Sequence, residues 1–192
     1  MAPITAIIYA DGQPVDHVIR RIADHLIAGG RSVVGFIEIK RPRGDRSRCD
    51  MILEEIASGE RVTISEDRGP NARGCMLNVQ ELARAESLAT GALENRPDLL
   101  IINKFGKTEA EGRGFRRLMV VAIDHAIPIL IAVPARNLDP WQQFSATLSS
   151  NVPVGELASD IDELYAQLGV SGIVNRSLPP LETWESRSRS TA

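Results

Sequence analysis

The sequence predicts an α/β domain: a mostly parallel sheet with helices on both faces. Short apolar runs such as PITAIIYA at 3–10 and LLIIN at 99–103 have the pattern of strands buried on two sides. Stretches with apolar residues at helical spacing alternate with them, and that alternation marks a parallel sheet. The bulk agrees, since 192 residues at 43% hydrophobic and 24% charged have the size and makeup of one domain that buries its own core.

In chain order, the first strand at 3–10 leads through Asp11-Gly12-Gln13 to Pro14, which suits the first turn of a helix. Val15, Val18, Ile19, Ile22 and Leu26 then keep helical spacing until Gly29-Gly30 stops them, and a second strand is expected at 32–39. Together these read as a right-handed βαβ crossover. Residues 40–48 (KRPRGDRSR) read as a charged loop. The runs 51–56 and 61–65, joined by Ala57-Ser58-Gly59-Glu60, read as a β-hairpin, with a helix over 50–57 as the rival reading.

Asn78 with Glu81 three residues on is a helix cap ahead of Leu82, Ala85, Ala89 and Leu93, and Pro97 ends that helix. After the strand at 99–103 comes a loop, KFGKTEAEGRG. A helix marked by Phe115, Leu118, Met119, Ala122 and Ile123 follows, then a buried strand at 129–133. Trp141 and Phe144 are expected to pack in the interior. Leu157, Ile161, Leu164 and Leu168 mark a last helix, so residues 1–170 form the domain and 171–192 a flexible tail rich in Ser, Arg and Pro.

Charge and composition exclude several functions. A formal net charge of −3 gives no support to generic nucleic-acid binding. No run approaches the roughly 18 apolar residues of a membrane helix, so no membrane insertion is expected. The N-terminal apolar run lacks a basic leader, and cytoplasm is the expected location. Cys49 and Cys75 fit a reducing compartment; they meet as a soft-metal or redox pair or, on the favoured reading, simply pack. Among His17, His25 and His125 no triad is legible, and no metal site or cofactor is assigned.

Ligands of open α/β sheets bind beyond the carboxyl ends of the strands, and two loops lie there, ADGQPVDH at 10–17 and NKFGKTEAEG at 103–112. Candidate ligand-binding residues are therefore Asp11, Gly12 and Gln13 in the first, and Asn103, Lys104, Gly106, Lys107 and Glu109 in the second. Arg46 and Arg48 of the basic loop join them as oxyanion donors. Each also has a plainer role: Asp11 and Gly12 form a turn, and the charged loops face solvent.

From residue 4 to about 134 the chain resembles a P-loop NTPase family that includes thermophile and cancer-related nucleoside-triphosphatases. The likeness rests on VVGFIE after the first helix, the hairpin RCDMILEEIASGER, GCMLNVQEL entering a helix, and DLLIINKFGKTE. It resembles more closely a bacterial family of unassigned activity, with CDM, a Ser-Gly-Glu turn, GC-x-L and NKFGK-x-E-x-EG. Some of its members carry the name of molybdenum-transport ATP-binding proteins. The resemblance implies a three-layer P-loop-NTPase-like fold with an inserted β-hairpin.

Departures from that pattern govern the functional expectation. A phosphate loop, G-x-x-x-x-G-K-[ST], cradles phosphates on backbone N–H groups and supplies a lysine and a Mg²⁺-binding hydroxyl. This chain has A-D-G-Q-P-V-D-H, with one glycine, no lysine and no hydroxyl, and Pro14 removes a donor. Where the resembled family has a metal-binding Asp and a catalytic Glu, this chain has Asn103 and Lys104, while Gly106 and Glu109 match. The sequence thus predicts no catalytic residues, and a degenerate NTPase-like protein that binds a small anion, regulates or assembles. An active NTPase with an unorthodox site and a partner-binding homodimer are the alternatives.

Overall fold

The computed structural model of the chain describes residues 4–42, 49–66, 76–146 and 148–153. Strand β1 (Ile4–Tyr9) enters helix α1 (Val15–Ala28), which returns the chain to β2 (Val33–Pro42). A hairpin of β3 (Cys49–Glu55) and β4 (Arg61–Thr63) follows, then the two-residue strands β5 (Ser65–Glu66) and β6 (Met76–Leu77), which pair with each other. Helix α2 (Val79–Leu93) leads to β7 (Leu99–Ile102), the short α3 (Lys107–Ala110), α4 (Arg116–Asp124) and β8 (Ile129–Pro134). A 3₁₀ turn, Ala135–Asn137, opens α5 (Leu138–Ser145), and β9 (Ser149–Pro153) closes the described chain.

The main sheet has the order β4-β3-β2-β7-β8-β1-β9. The five strands from β2 to β9 in that row are parallel, and the hairpin extends the β2 edge antiparallel. The apolar runs at 99–102 and 129–134 fill the sheet centre because both of their faces are covered, as every residue of β7 and β8 is buried. Helix α1 packs Val15, Ile19, Ile22 and Leu26 on one face of the sheet. The larger core lies on the other face, where α2, α4 and α5 bring in Leu82, Leu93, Leu118 and Trp141.

Local signals account for most boundaries. Asn78 caps α2, its side chain accepting from the backbone N–H groups of Gln80 and Glu81. At α1, Gly30 takes a φ of 81°, and a bond from Arg31 N to the Leu26 carbonyl closes the helix end. The hairpin prevails over the rival helix at 50–57 because β3 pairs with both β2 and β4.

Three expectations need correction. The charged loop at 40–48 is shorter than its composition suggests: β2 runs to Pro42, with Lys40 opposite Met51 and Pro42 opposite Cys49. Backbone pairing continues for as long as β3 supplies a partner, whatever the side-chain charge. The loop at 104–114 contains a turn of helix, α3, held by Glu109 rather than by any apolar periodicity. Neither α5 nor β9 is announced by composition; α5 forms around Trp141, whose ring meets Phe105 edge-on at 5.2 Å, and β9 by pairing with β1. The last helix, the tail and Cys75 lie outside the described residues, as do Arg46 and Arg48.

Candidate functional site

The carboxyl ends of β1, β2, β7 and β8 open on a cavity of about 600 Å³, between the loop after β1 and the segment after β7. Asp11, Gly12, Gln13 and Lys104 line it, together with Asp16, His17, Arg20, Glu38 and Arg136. The two loops singled out in the sequence therefore do converge.

The loop after β1 is closed upon itself. Gln13 N donates to the Ala10 carbonyl at 3.1 Å, and Ala10 N donates to the Gln13 side-chain oxygen at 2.6 Å. Val15 N turns to the Gln13 carbonyl, His17 N to the Pro14 carbonyl, and Pro14 has no N–H. Gly12, at φ 89°, supplies the left-handed residue this tight turn requires. The N–H groups of Ala10, Gln13, Val15 and His17, which a phosphate cradle would leave open, are engaged inside the loop.

Charges around the cavity are matched in pairs. Lys104 is bound to Glu38, whose side chain is only 2% exposed, and Arg136 to Asp11 across the cavity mouth. Arg20 reaches Glu54 at 2.6 Å, and Arg61 meets the same carboxylate at 2.8 Å. Burial works to raise the Glu54 pKa, but these two guanidinium groups hold it below the usual range. Asn103, 3% exposed, accepts from Glu38 N at 2.9 Å and donates to Asp16 at 3.3 Å, so it ties β2 and β7 to α1.

The remaining candidates sit on the far side of Lys104. Gly106 and Glu109 border a second cavity of about 190 Å³, which also includes Lys107 at its rim. Glu109 is buried and clamps its own loop, accepting from Gly106 N at 2.9 Å and Phe115 N at 3.1 Å. Burial raises its pKa, against the pull of those N–H groups and of Lys104. A Cβ at Gly114 would stand 2.0 Å from the Glu109 carboxylate, so glycine is required there. Lys107 is 89% exposed and pairs with Glu111 at 3.6 Å.

Sequence reasoning missed Arg20, Glu38 and Arg136. Glu38 had a signal, a lone acid within the apolar run VVGFIEI. Arg136 lies just past the carboxyl end of β8, a position the same strand-end rule selects. Arg20 carries no mark beyond its place on the first helix. Among the described residues no cluster of three or more metal-ligating side chains occurs.

A family model described as protein of unknown function (DUF2478) matches residues 4–160. The chain belongs to this family. A relative named molybdenum import ATP-binding protein ModC 2, from Bradyrhizobium diazoefficiens, is 29% identical over 149 residues. That match spans 78% of this chain but only 17% of the relative's length. Among solved structures, THEP1 from the hyperthermophile Aquifex aeolicus superposes with a TM-score of 0.57 at 15% identity, covering 87% of this chain and 98% of THEP1. A human cancer-related nucleoside triphosphatase gives 0.55 at 16% identity, covering 81% of this chain and 89% of that one. The DUF2478 chain therefore has the fold of these P-loop NTPases, and the expected fold class holds. No helix among the described residues is long and apolar enough to cross a membrane.

Proposed function

We propose that this DUF2478 domain keeps the P-loop NTPase scaffold without triphosphate hydrolysis and serves as a ligand-binding protein with a regulatory or assembly role. One observation carries the reading: the loop after β1 turns the N–H groups of Ala10, Gln13, Val15 and His17 onto its own oxygens. A triphosphate would meet Asp11 and Asp16 there, and residues 10–17 themselves supply neither a lysine nor a serine or threonine hydroxyl. Asn103 and Lys104 stand where a metal-binding acid and a general base are needed. Asn103 is engaged with Glu38 and Asp16, and Lys104 with Glu38.

The ligand proposed for the larger cavity is a small oxyanion. Arg136 and Lys104 supply donors, and Asp11, 76% exposed, can turn to water when an anion takes its place on Arg136. Molybdate is a candidate through the name of the ModC 2 relative, and tungstate, sulfate and phosphate through their charge and tetrahedral shape alone. Arg46 and Arg48 belong to the same proposal as donors from the basic loop.

Calorimetric titration of the wild type and Lys104→Ala with each oxyanion tests this. A charge-assisted hydrogen bond contributes about 1.5–3 kcal/mol, so the variant should bind at least about tenfold more weakly. Equal binding by both proteins, or no binding below millimolar, would remove the anion from this cavity. ATP·Mg²⁺ at millimolar concentration should leave the melting temperature unchanged. A ligand at about 100 times its Kd would stabilise the fold by about 2.7 kcal/mol, so a clear shift counts against the proposal.

A further inference from the structure

The 190 Å³ cavity on the α2 face has walls unlike those of the larger one. Leu53, Leu82 and Phe115 are buried apolar side chains in its lining, and Met51 adds a polarisable one. Its polar groups include Glu38 and Lys104, which line the larger cavity too, so their ion pair stands between the two spaces. Lys107, at the rim, is exposed to solvent.

We propose that this second cavity binds one uncharged planar ring carrying a hydrogen-bond donor beside an acceptor, as a pyrimidine does, with the donor on Glu38 and the acceptor on Lys104. The inference rests on the ligand-binding reading only in taking the domain to hold a small molecule. It needs no oxyanion in the larger cavity.

Size, polarity and the shared ion pair agree on this class. An apolar cavity of about 150 Å³ takes benzene, so 190 Å³ has room for one six-membered ring. An ionised group would lose its hydration among Leu53, Leu82 and Phe115, which selects a neutral ligand. Lys104 has three N–H donors, and one is engaged by Glu38 Oε2. Lys104 takes Oε2 of Glu38, and Oε1 is the oxygen that would accept from the ring. A ring edge with adjacent N–H and C=O satisfies both groups without separating the buried pair.

The test is calorimetric titration of the full chain with uracil and with 1,3-dimethyluracil, which has a similar ring and blocked N–H groups. Uracil should bind with a Kd of about 1 mM or tighter, and the dimethyl compound about tenfold or more weakly. Leu82→Trp, which places an indole in the cavity, should abolish uracil binding while circular dichroism confirms that the fold remains. Equal affinity for the two compounds overturns the polar readout, and no binding of uracil overturns the site. The wild-type comparison stands even if the tryptophan variant does not fold. Hydrolysis of Mg²⁺·ATP would overturn the proposed function but not this site, and failure of uracil to bind would leave the non-hydrolysing reading untouched.

Discussion

Glu109 illustrates how a residue carried over by motif acquires a physical role. Its two carboxylate oxygens receive Gly106 N and Phe115 N, so it draws together the two ends of the loop 106–115 that contains α3. Burial raises its pKa, which means that the fold holds the protonated form better than the ionised one. Its contribution to stability is full below the ordinary glutamate value of 4.5 and is lost as pH rises through the raised folded value. Carbon-detected NMR titration should therefore place the Glu109 midpoint above that of exposed glutamates; a midpoint at or below theirs contradicts the assignment. Glu54 differs, because Arg20 and Arg61 hold its carboxyl low, and its stabilisation is lost as pH falls instead. Gly106 and Glu109 were legible from the motif NKFGKTE, but the bonds by which Glu109 clamps the loop were not. Motif spacing reports that a loop is built in a set way without stating which partners hold it.

At the scale of elements, β2 is the strand on which the site depends, since it carries Glu38 and joins the hairpin to β7. Gly35 is its weak point: φ is 116°, and a Cβ there would lie 2.0 Å from the Ile101 carbonyl oxygen of β7. Gly35→Ala should destabilise the fold by at least the ~1–3 kcal/mol of a strained backbone residue, measured by denaturant unfolding. A variant as stable as wild type would mean that β2 and β7 are not paired as described. The sequence made β1, β7 and β8 legible because burial leaves a short apolar run, α1 because its apolar residues keep helical spacing, and α2 because Asn78 is a strong cap. It did not reveal β9, where SSNVP becomes a strand only through its partner β1, or α5, which forms around one buried tryptophan. Both depend on contacts distant in sequence, to which local periodicity is blind.

The whole molecule sets a P-loop NTPase fold against a strand-end cavity whose cations are already paired. Of its lining, Asp11, Gly12, Gln13 and Lys104 were legible because ligand sites of parallel sheets lie at strand ends. The pairing of Lys104 with Glu38 was not, because it joins β2 to the segment after β7, 66 residues apart. A scaffold without triphosphate hydrolysis is checked by steady-state assay of Mg²⁺·ATP and Mg²⁺·GTP with the purified chain. No turnover above the uncatalysed background is expected. Turnover near ~1 s⁻¹, the low end of ordinary enzyme rates, that disappears in Asn103→Ala or Lys104→Ala would contradict it and make the strand-end site an unorthodox catalyst.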